Sequence, residues 1–465
     1  MEERDRISEL PADIVDKIMG KLWIGEAATM AVLNTVWRDA WYNLTELDFD
    51  DSFHHNIYSD YDDDPATWHD TVNDYLKKHN GNIKKFVVYF GQQVYIGEFD
   101  KLFLSVTKKG VQELDLQIYS DDGRDYRLPP CILKCPTLKT FRACGVKIDQ
   151  ITPRCMFPNV TFISFDGVHF DARSLQLHVV ELPKLQRLIL RRCKNIYHFN
   201  ITAPKLGFLS IEECYIGSDD ERNKDNDDYH SDDDDYYSDD DVDFNSDDDD
   251  HRYAGDNDDE SDYDDGSSSG GDDDRNMFRY NPAKGKDTIV GGFFPANLDL
   301  GSVCRLHLCC NAIGGVVDDF GRKGLQMPAL DVKYLNLSGV YYLGSDNNSK
   351  FVNLLRSCPK LCKLEICFKL HGLDSPTCSE SVSNLLEGLH KLHHRHNDLH
   401  TLMLNLYLAS KSEVQFITGL IGCFPTCKKV FIFCQIRFPS KEKAKVRKEI
   451  LSSSRALSTA KVYLK

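Results

Sequence analysis

A leucine-spaced pattern that recurs along the chain constrains the fold more than any other sequence feature. It is clearest in PKLQRLILRRC at 183–193, where Leu185, Leu188, Leu190 and Cys193 fit L-x-x-L-x-L-x-x-C. Successive side chains of a strand point to opposite faces, so the L-x-L pair predicts a short strand with both leucines in a core. The following residues are expected to return along the outer side as a helix or an irregular turn.

The same frame occurs twelve times in the sequence. Successive frames begin 21 to 39 residues apart, with one interval of 97, and most intervals are close to the ~20–29 residues of a leucine-rich repeat. One frame alone would fit an unrelated alternating β protein, but twelve favour an α/β leucine-rich-repeat solenoid. The frames begin at Leu44, Ile83, Val111, Leu138, Val160, Leu185, Leu206, Val303, Val332, Leu361, Leu399 and Cys427.

An acidic segment accounts for the long interval. Residues 217–275 contain 28 Asp/Glu against four Lys/Arg, so they carry −24 while the rest of the chain carries +7. Asp, Ser, Gly and Asn bury little apolar area, so residues 217–290 are predicted to be a disordered insert. Repeats are expected on both sides of it, at 44–216 and 291–379. Lengthening a surface loop costs closure entropy only logarithmically, so the repeats can tolerate this insert.

Five serines of the insert each precede an acidic residue by three positions, a context suited to acid-directed kinases. A phosphate would add roughly −1.5 to −2 charge at each. One interpretation is a regulatory segment, and the simpler one is a solvated spacer. The candidate phosphorylation sites are Ser218, Ser231, Ser238, Ser246 and Ser261.

Two amphipathic segments precede the repeats. ISELPADIVDKIMGKLW at 7–23 predicts a proline-led helix, and GEAATMAVLNTVWRDAW at 25–41 predicts a second. Together they span residues 7–41, fewer than the ~40 residues needed for an independent core. Their apolar faces therefore either cap the solenoid or bind another protein. The first stripe has Val15 and Met19 beside Leu10, Ile14, Ile18 and Leu22.

Specific stretches of these segments match a known family. DRISELPADIVDKIMGKL from residue 5 and AVLNTVWRDAW up to residue 41 resemble the F-box of the plant F-box/FBD/leucine-rich-repeat family, with its D-R-I-S-x-L-P start and V-L-S-x-x-W-R-x-x-W run. SSSRALSTAKVYL at 452–464 resembles the R-A-S-x-x-A-x-V-x-L close of the FBD region. An FBD-like region continuing the solenoid is expected at 380–465.

The resemblance implies a function for residues 1–45. An F-box is a short helical module that docks on a Skp-type adaptor and thereby links the repeats to a cullin in an SCF ubiquitin ligase. The family leaves the chemistry to its partners, so no enzymatic activity is implied for this chain. The residues matched to the adaptor contact or its support are Leu10, Pro11, Ile14, Ile18, Leu22, Leu33 and Trp37.

The residues that flank each L-x-L pair should line up on a concave surface. The first frames place Glu46, Asp48, Asp50, Glu113 and Asp115 there, whereas the middle frames place arginines and aromatic rings. Arginine and aromatic residues are enriched at interface hot spots, although each alone is as well explained as a solvated polar face. The predicted substrate-binding residues are Phe162, Arg187, Arg191, Phe208, Arg305, His307 and Tyr334.

The sequence predicts no cofactor, no metal site and no catalytic group. HKLHHRHNDLH pairs His390 with His394 and His396 with His400 at i, i+4, a spacing that binds zinc on a helix. No cysteine pair or HExxH accompanies it, so a solvated helix end is the preferred interpretation. Nucleic acid is not an expected partner, because the body is only weakly basic and the insert would repel phosphates.

Composition indicates the compartment. The start MEERDRISEL has no apolar signal region and no run reaches the ~18 apolar residues of a membrane span, so no membrane contact is expected. The 16 cysteines form no CxxC pairs, which is typical of free thiols in a reducing compartment. The expected location is the nucleus, the cytoplasm or both.

Two functional hypotheses follow. The first is a non-catalytic substrate-recognition subunit of an SCF-type ubiquitin ligase that bridges the adaptor and a protein target. The second is an acidic leucine-rich-repeat scaffold or chaperone of basic proteins with a vestigial F-box. The N-terminal motif favours the first, and the internal position of the acidic run counts against the second.

Overall fold

The protein has a mixed α/β fold built around one large parallel sheet. None of the helices in the part of the chain with assigned positions combines the length and apolarity of a membrane span. The computed structural model describes residues 10–50, 53, 65–90, 99–118, 126–148, 157–170, 179–216, 294–295, 297–322, 328–340, 345–368, 376–392, 395–406, 411–434, 448 and 461–464.

Three short helices precede the sheet: α1 (Ala12–Met19), α2 (Ile24–Met30) and α3 (Thr35–Trp41). The single helix predicted over 25–41 is therefore wrong, since the chain turns between α2 and α3. The Asn34 side chain accepts hydrogen bonds from the backbone N–H groups of Val36 and Trp37 at 2.9 and 3.1 Å. Such an N-cap begins a new helix even where the apolar pattern is continuous.

Thirteen strands form the main sheet, each paired in parallel with the strand of the next repeat. In order across the sheet they are β1 (Glu46–Phe49), β2 (Lys85–Phe90), β3 (Glu113–Ile118), β5 (Thr140–Cys144), β7 (Phe162–Asp166), β10 (Arg187–Arg191), β12 (Phe208–Glu212), β13 (Arg305–Cys309), β14 (Tyr334–Val340), β15 (Lys363–Phe368), β16 (Thr401–Leu406), β17 (Lys429–Cys434) and β18 (Lys461–Leu464).

Each of the twelve frames contains one of these strands, and β18 comes from the FBD-like close. The leucines of each L-x-L pair lie in the core, as Leu188 and Leu190 of β10 do at 0% exposure. Even the irregular frames at Leu361 and Cys427 bury their first residue. The buried L-x-L pairs predicted from the sequence are therefore confirmed in each strand, because one face of the sheet packs on the core. The intervening residue is buried as well at Val87 and Ser210.

The segments between strands differ along the chain. In the middle repeats the chain returns through two small parallel sheets and a 3₁₀ turn at Ile196–His198. One sheet contains β4 (Tyr126–Arg127), β6 (Val146–Ile148) and β8 (His169–Phe170), and the other contains β9 (Val180–Glu181) and β11 (Ile201–Thr202). Flanking repeats use helices: α4 (Pro65–Lys78), α5 (Phe99–Lys108), α6 (Pro130–Leu133), α7 (Cys310–Arg322), α8 (Ser345–Arg356), α9 (Pro376–His390) and α10 (Lys411–Gly422).

The cysteine at the end of the frame has a structural role in the middle repeats. The Cys193 thiol is buried and donates to the carbonyl oxygens of Arg191 and Phe165 at 3.2 and 3.5 Å. Cys214 repeats the arrangement on the carbonyls of Glu212 and Leu190. These thiols satisfy strand carbonyls as each repeat leaves the sheet, and burial raises the pKa of the Cys193 thiol well above its usual range.

Sheet pairing is continuous across the long interval. Phe208 of β12 lies beside Arg305 of β13, and the register holds through Ile211 and Leu308. The predicted insert at 217–290 and its five candidate serines lie outside the described residues. The described residues just before β13 contact the preceding repeat, since Ser302 donates its hydroxyl to the Leu206 carbonyl oxygen at 2.9 Å.

Candidate functional site

The N-terminal helices divide their apolar residues between a buried face and a half-exposed margin. Val15 and Met19 are each 1% exposed, so they form the centre of the packed face of α1. The predicted stripe is displaced by one position: Leu10, Ile18 and Leu22 are half-buried and pack against the rim of the core. Ile14 is likewise half-buried, whereas Pro11, just before α1, is exposed.

An apolar patch lies on the turn between α2 and α3. Val32, Leu33 and Val36 are 85%, 59% and 39% exposed, the largest cluster of exposed apolar side chains in this part of the described chain. We call these three residues the apolar turn patch. Only Leu33 is among the residues assigned to adaptor contact from the sequence. The sequence feature that would have indicated the patch is AVL at 31–33, because these apolar residues lie where the chain turns away from the core.

Trp37, also assigned to adaptor contact, lies inside the protein. Its side chain is 1% exposed, so it supports α3 from within and does not contribute a surface. Trp23 folds over Gly25 and contacts the Phe53 ring at 6.3 Å between centroids. Beneath it is a cavity of about 430 Å³ whose walls include Trp41 and Tyr75. Trp37 therefore packs beneath α3, and Trp23 and Trp41 line the cavity next to the turn.

The open face of the sheet, opposite the core, carries a row of alternating rings and cations. Phe162 pairs with Arg187, which pairs with Phe208 on the next strand. Arg305 and Tyr334 continue the same register, and Lys363 follows on β15. We call this set the aromatic–cation row: Phe162, Arg187, Phe208, Arg305, Tyr334 and Lys363. Five of the seven predicted substrate-binding residues thus lie in one line.

Ring faces position the cations of this row. The Arg187 guanidinium carbon lies 5.1 Å from the Phe162 ring centroid and 5.0 Å from that of Phe208. The Lys363 ammonium nitrogen lies 4.4 Å from the Tyr334 ring. Cation–π contacts of this length hold a cation by its face. They leave the N–H edge of the arginine available as a donor.

His307 lies two residues after Arg305 on β13, in the next row of side chains on the open face (the adjacent register row). Its ring stands between those of Phe208 and Tyr334. Its ring centroid is 4.8 Å from the first and 5.1 Å from the second. Burial lowers the pKa of His307, so it is neutral near pH 7. Tyr334 donates its hydroxyl to Glu365 at 2.6 Å. Burial, then this carboxylate, raises the pKa of Tyr334 to about 12. His307 and Glu365 therefore help to orient the rings of the row.

Arg191, the remaining predicted substrate residue, already has a partner. Arg191 lies four residues after Arg187, at the end of β10. Its Nε atom is 3.3 Å from a carboxylate oxygen of Glu212. At the first strands the predicted acidic end is present, with Asp48 paired to Lys85 at 3.3 Å and Glu46 to Lys84 at 3.6 Å. The open face therefore changes from acidic to basic along the repeats.

Open-face cations missed from the sequence include Lys429 and Lys461, to which the register of the row continues. Two others are Arg142, which lies over the Phe162 ring at 5.0 Å, and Lys363. Both occupy the flanking position of an L-x-L pair in their frames, so the rule that selected the other residues would have found them. Arg142 belongs to the frame at Leu138 and Lys363 to the frame at Leu361, and both frames carry few other arginines or rings.

The histidine tract does not form a metal site within the described residues. His390 is exposed at the end of α9, His396 is 1% exposed near Phe424, and His400 is exposed at the start of β16. His394 lies outside the described residues. The side chains that the structure describes are therefore divided between core and surface.

A parallel sheet with one strand for each leucine frame defines a leucine-rich-repeat protein. Comparison with known proteins agrees: residues 99–221 match the family described as "FBD-associated F-box protein At5g56370, LRR repeats". That match includes β3 to β12, the part of the sheet on which the aromatic–cation row begins.

Curated relatives in Arabidopsis thaliana carry related names. The chain is 25% identical to F-box/FBD/LRR-repeat protein At5g56420 over 47% of its own length and 52% of the relative. It is 26% identical to F-box/FBD/LRR-repeat protein At1g13570 over 45% and 50%. F-box/LRR-repeat protein At3g59200 is 34% identical over 29% of this chain and 26% of its own.

The alignments span about half the length of the first of these relatives. The chain is related to the plant F-box/FBD/leucine-rich-repeat family, and the resemblance noted in its sequence is confirmed.

Proposed function

We propose that this chain is a non-catalytic substrate-recognition subunit of an SCF-type E3 ubiquitin ligase. In this proposal α1–α3 dock a Skp-type adaptor, which brings a cullin, and the repeat solenoid holds a protein target for ubiquitination. The observation that carries the proposal is the apolar turn patch at the start of a chain related to F-box proteins. The proposed location is the nucleus, the cytoplasm or both.

The apolar turn patch has the properties of a docking surface. Two large apolar side chains stand on one short turn and a third, Val36, on the first turn of α3, and Val32 is 85% exposed. Exposed apolar area of this kind gains free energy when a partner covers it. The Asn34 cap fixes the start of α3, so little conformational entropy is lost on binding. The half-buried Leu10 and Ile14 of α1 are available to extend the contact.

The open face supports the second half of the proposal. Its middle rows are rich in arginine and rings, which is the composition of protein interfaces. The alternative of a chaperone for basic proteins is not supported by this face, because the cations there would repel a basic partner. That alternative would depend on residues 217–290, which lie outside the described part of the chain.

The adaptor proposal is tested by binding of the full chain to a purified Skp-type adaptor. Changing Val32→Asp together with Leu33→Asp should weaken binding at least tenfold, because charge placed at the centre of an apolar contact must be desolvated. The matched control is Leu104→Asp, an apolar-to-acid change at a residue that is 44% exposed on α5. Equal binding by the double variant and the parent chain would refute the proposal.

A further inference from the structure

The aromatic–cation row combines regular spacing with unpaired charge. Arg187 and Arg305 are exposed, and within the described residues neither lies in an ion pair with a carboxylate. Their neighbours differ: Arg191 is paired with Glu212 at 3.3 Å and Arg192 with Asp166 at 2.7 Å. The third cation of the row, Lys363, lies 3.8 Å from a carboxylate oxygen of Glu365. Arg187 and Arg305 are therefore the donors of the row that have no anionic partner in the described chain.

The width of the row limits what can bind there. From β5 to β14 the adjacent register row carries one cation, Arg142, and otherwise uncharged side chains that include the neutral His307; Glu365 follows on β15. Its members from β5 to β14 are Arg142, Ser164, Ile189, Ser210, His307 and Asn336. A single line of cations fits one extended chain, whereas a nucleic-acid duplex presents phosphates over a much wider surface.

The spacing of the row sets a repeat for the ligand. Arg187, Arg305 and Lys363 lie two strands apart from one another in sheet order. Neighbouring strands are about 4.8 Å apart, so these cations recur about every 10 Å. A peptide in the extended polyproline II conformation advances about 3.1 Å per residue with three residues per turn, so every third side chain lies on the same side and would meet a cation. The intervening residues would lie on the rings of Phe208 and Tyr334.

We propose that the aromatic–cation row binds an extended acidic peptide whose carboxylates recur about every third residue. The proposal rests on the proposed function, in which the repeats hold the target, and it names the chemical class of the recognised segment. The Arg187 guanidinium, held between two ring faces, is oriented in advance for a planar carboxylate. The acidic side chains at β1 and β3 repel such a peptide, so the binding segment is limited to the middle and later strands.

The test is a fluorescence anisotropy titration of the full chain with a labelled twelve-residue peptide carrying Asp at every third position. A peptide of the same composition with its four aspartates adjacent is the sequence control. The spaced peptide should bind at least fivefold more tightly, and its affinity should fall with added salt because the charges are exposed. Equal affinity of the two peptides would overturn the spacing argument.

Variants of the protein distinguish peptide binding at the row from nonspecific charge attraction. Arg187→Gln with Arg305→Gln should weaken the spaced peptide about tenfold or more, since two charge-assisted contacts are lost. The matched control, Lys101→Gln with Lys108→Gln, removes the same charge from exposed positions of α5 and should leave affinity within twofold. Equal weakening by both pairs would overturn the proposal. Phe162→Leu with Phe208→Leu keeps the charges and should weaken binding severalfold.

Two further measurements complete the test. A chain lacking residues 217–275 is titrated in parallel, so that competition by the chain's own acidic segment is not mistaken for failure. Absence of binding in both preparations overturns the proposal, as does tighter binding of a single-stranded oligonucleotide or of a phosphoserine peptide by more than tenfold. Adaptor binding of the arginine variant should equal that of the parent, which distinguishes failure here from failure of the adaptor proposal.

Discussion

Gly145 shows how a single residue closes a repeat. It follows β5 with a φ of +67°, and a Cβ at this position would lie 3.1 Å from the Ile118 carbonyl carbon and closer still to its oxygen. The equivalent position is Gly167 after β7, but Arg192 after β10 and Glu213 after β12, all with positive φ. The turn therefore demands a left-handed residue, and crowding decides where only glycine fits.

Replacing Gly145 by alanine should destabilise the protein by about 2 to 4 kcal/mol, through the left-handed conformation and the clash with the neighbouring strand. The measurement is the midpoint of urea unfolding. Gly422→Ala is the matched control, because a Cβ there meets no heavy atom within 4 Å. That control should change stability by less than about 1 kcal/mol. Identical midpoints for both variants would contradict this account.

Thiol reactivity is a second residue-level prediction. Burial raises the pKa of Cys358 to about 12 and that of Cys193 well above its usual range, so both remain protonated at pH 8. Cys304 is exposed. Alkylation of the native protein at pH 8, mapped by mass spectrometry, should modify Cys304 first and the two buried thiols only after denaturation. Native labelling of Cys193 as fast as Cys304 would be the contrary outcome.

Among the elements, α3 depends most visibly on one side chain. Asn34 Oδ1 accepts from two N–H groups of its first turn, and it separates α3 from α2. The cap also fixes the apolar turn patch, because Val36 is one of the residues whose N–H it satisfies. Losing the cap should therefore loosen the proposed docking surface before it affects the sheet.

Asn34→Ala should cost about 1 kcal/mol and speed hydrogen–deuterium exchange in peptides covering 34–41. Asn34→Asp keeps an oxygen acceptor at the cap and should exchange at the parent rate. Mass spectrometry of exchange in the full chain measures both variants. Unchanged exchange in Asn34→Ala would show that packing of Trp37 alone maintains α3.

The whole molecule should lose stability as the pH falls below neutrality. Burial lowers the pKa values of His79 and His396, and of His307 on the open face. Because an unfolded histidine titrates near 6.5, the unfolded chain binds these protons first. The stability conferred by the neutral rings is complete above that pH and is lost progressively toward the lower folded pKa values.

His396→Leu tests this at a buried histidine whose two ring nitrogens have no hydrogen-bond partner within the described residues. The variant should lose less stability than the parent when urea unfolding at pH 7.5 is compared with pH 5.5. His400→Leu, at an exposed residue, should follow the parent. A parallel decline in all three proteins would assign the pH dependence to other groups.

The sequence predicted the strands well because L-x-L alternation is a local signal, and each strand buries one face. It predicted the open-face line for the same reason, including Arg187 and Phe208. The break at Asn34 was missed since the apolar pattern runs through it, and α1 is too short for its periodicity to choose between Ile14 and Val15. Contacts such as Arg187 with two rings depend on register between repeats of different length, which no single repeat encodes.

The direct pairing of β12 with β13 has a practical consequence. Their alignment is maintained although 92 residues lie between Glu212 and Arg305. The described residues just before β13 take part in this alignment, since Leu298, Leu300 and Val303 are buried and Ser302 donates to the Leu206 carbonyl oxygen. A short glycine linker in place of residues 218–288 should therefore leave the neighbouring repeats folded, provided that the chain from Leu298 to Arg305 is kept.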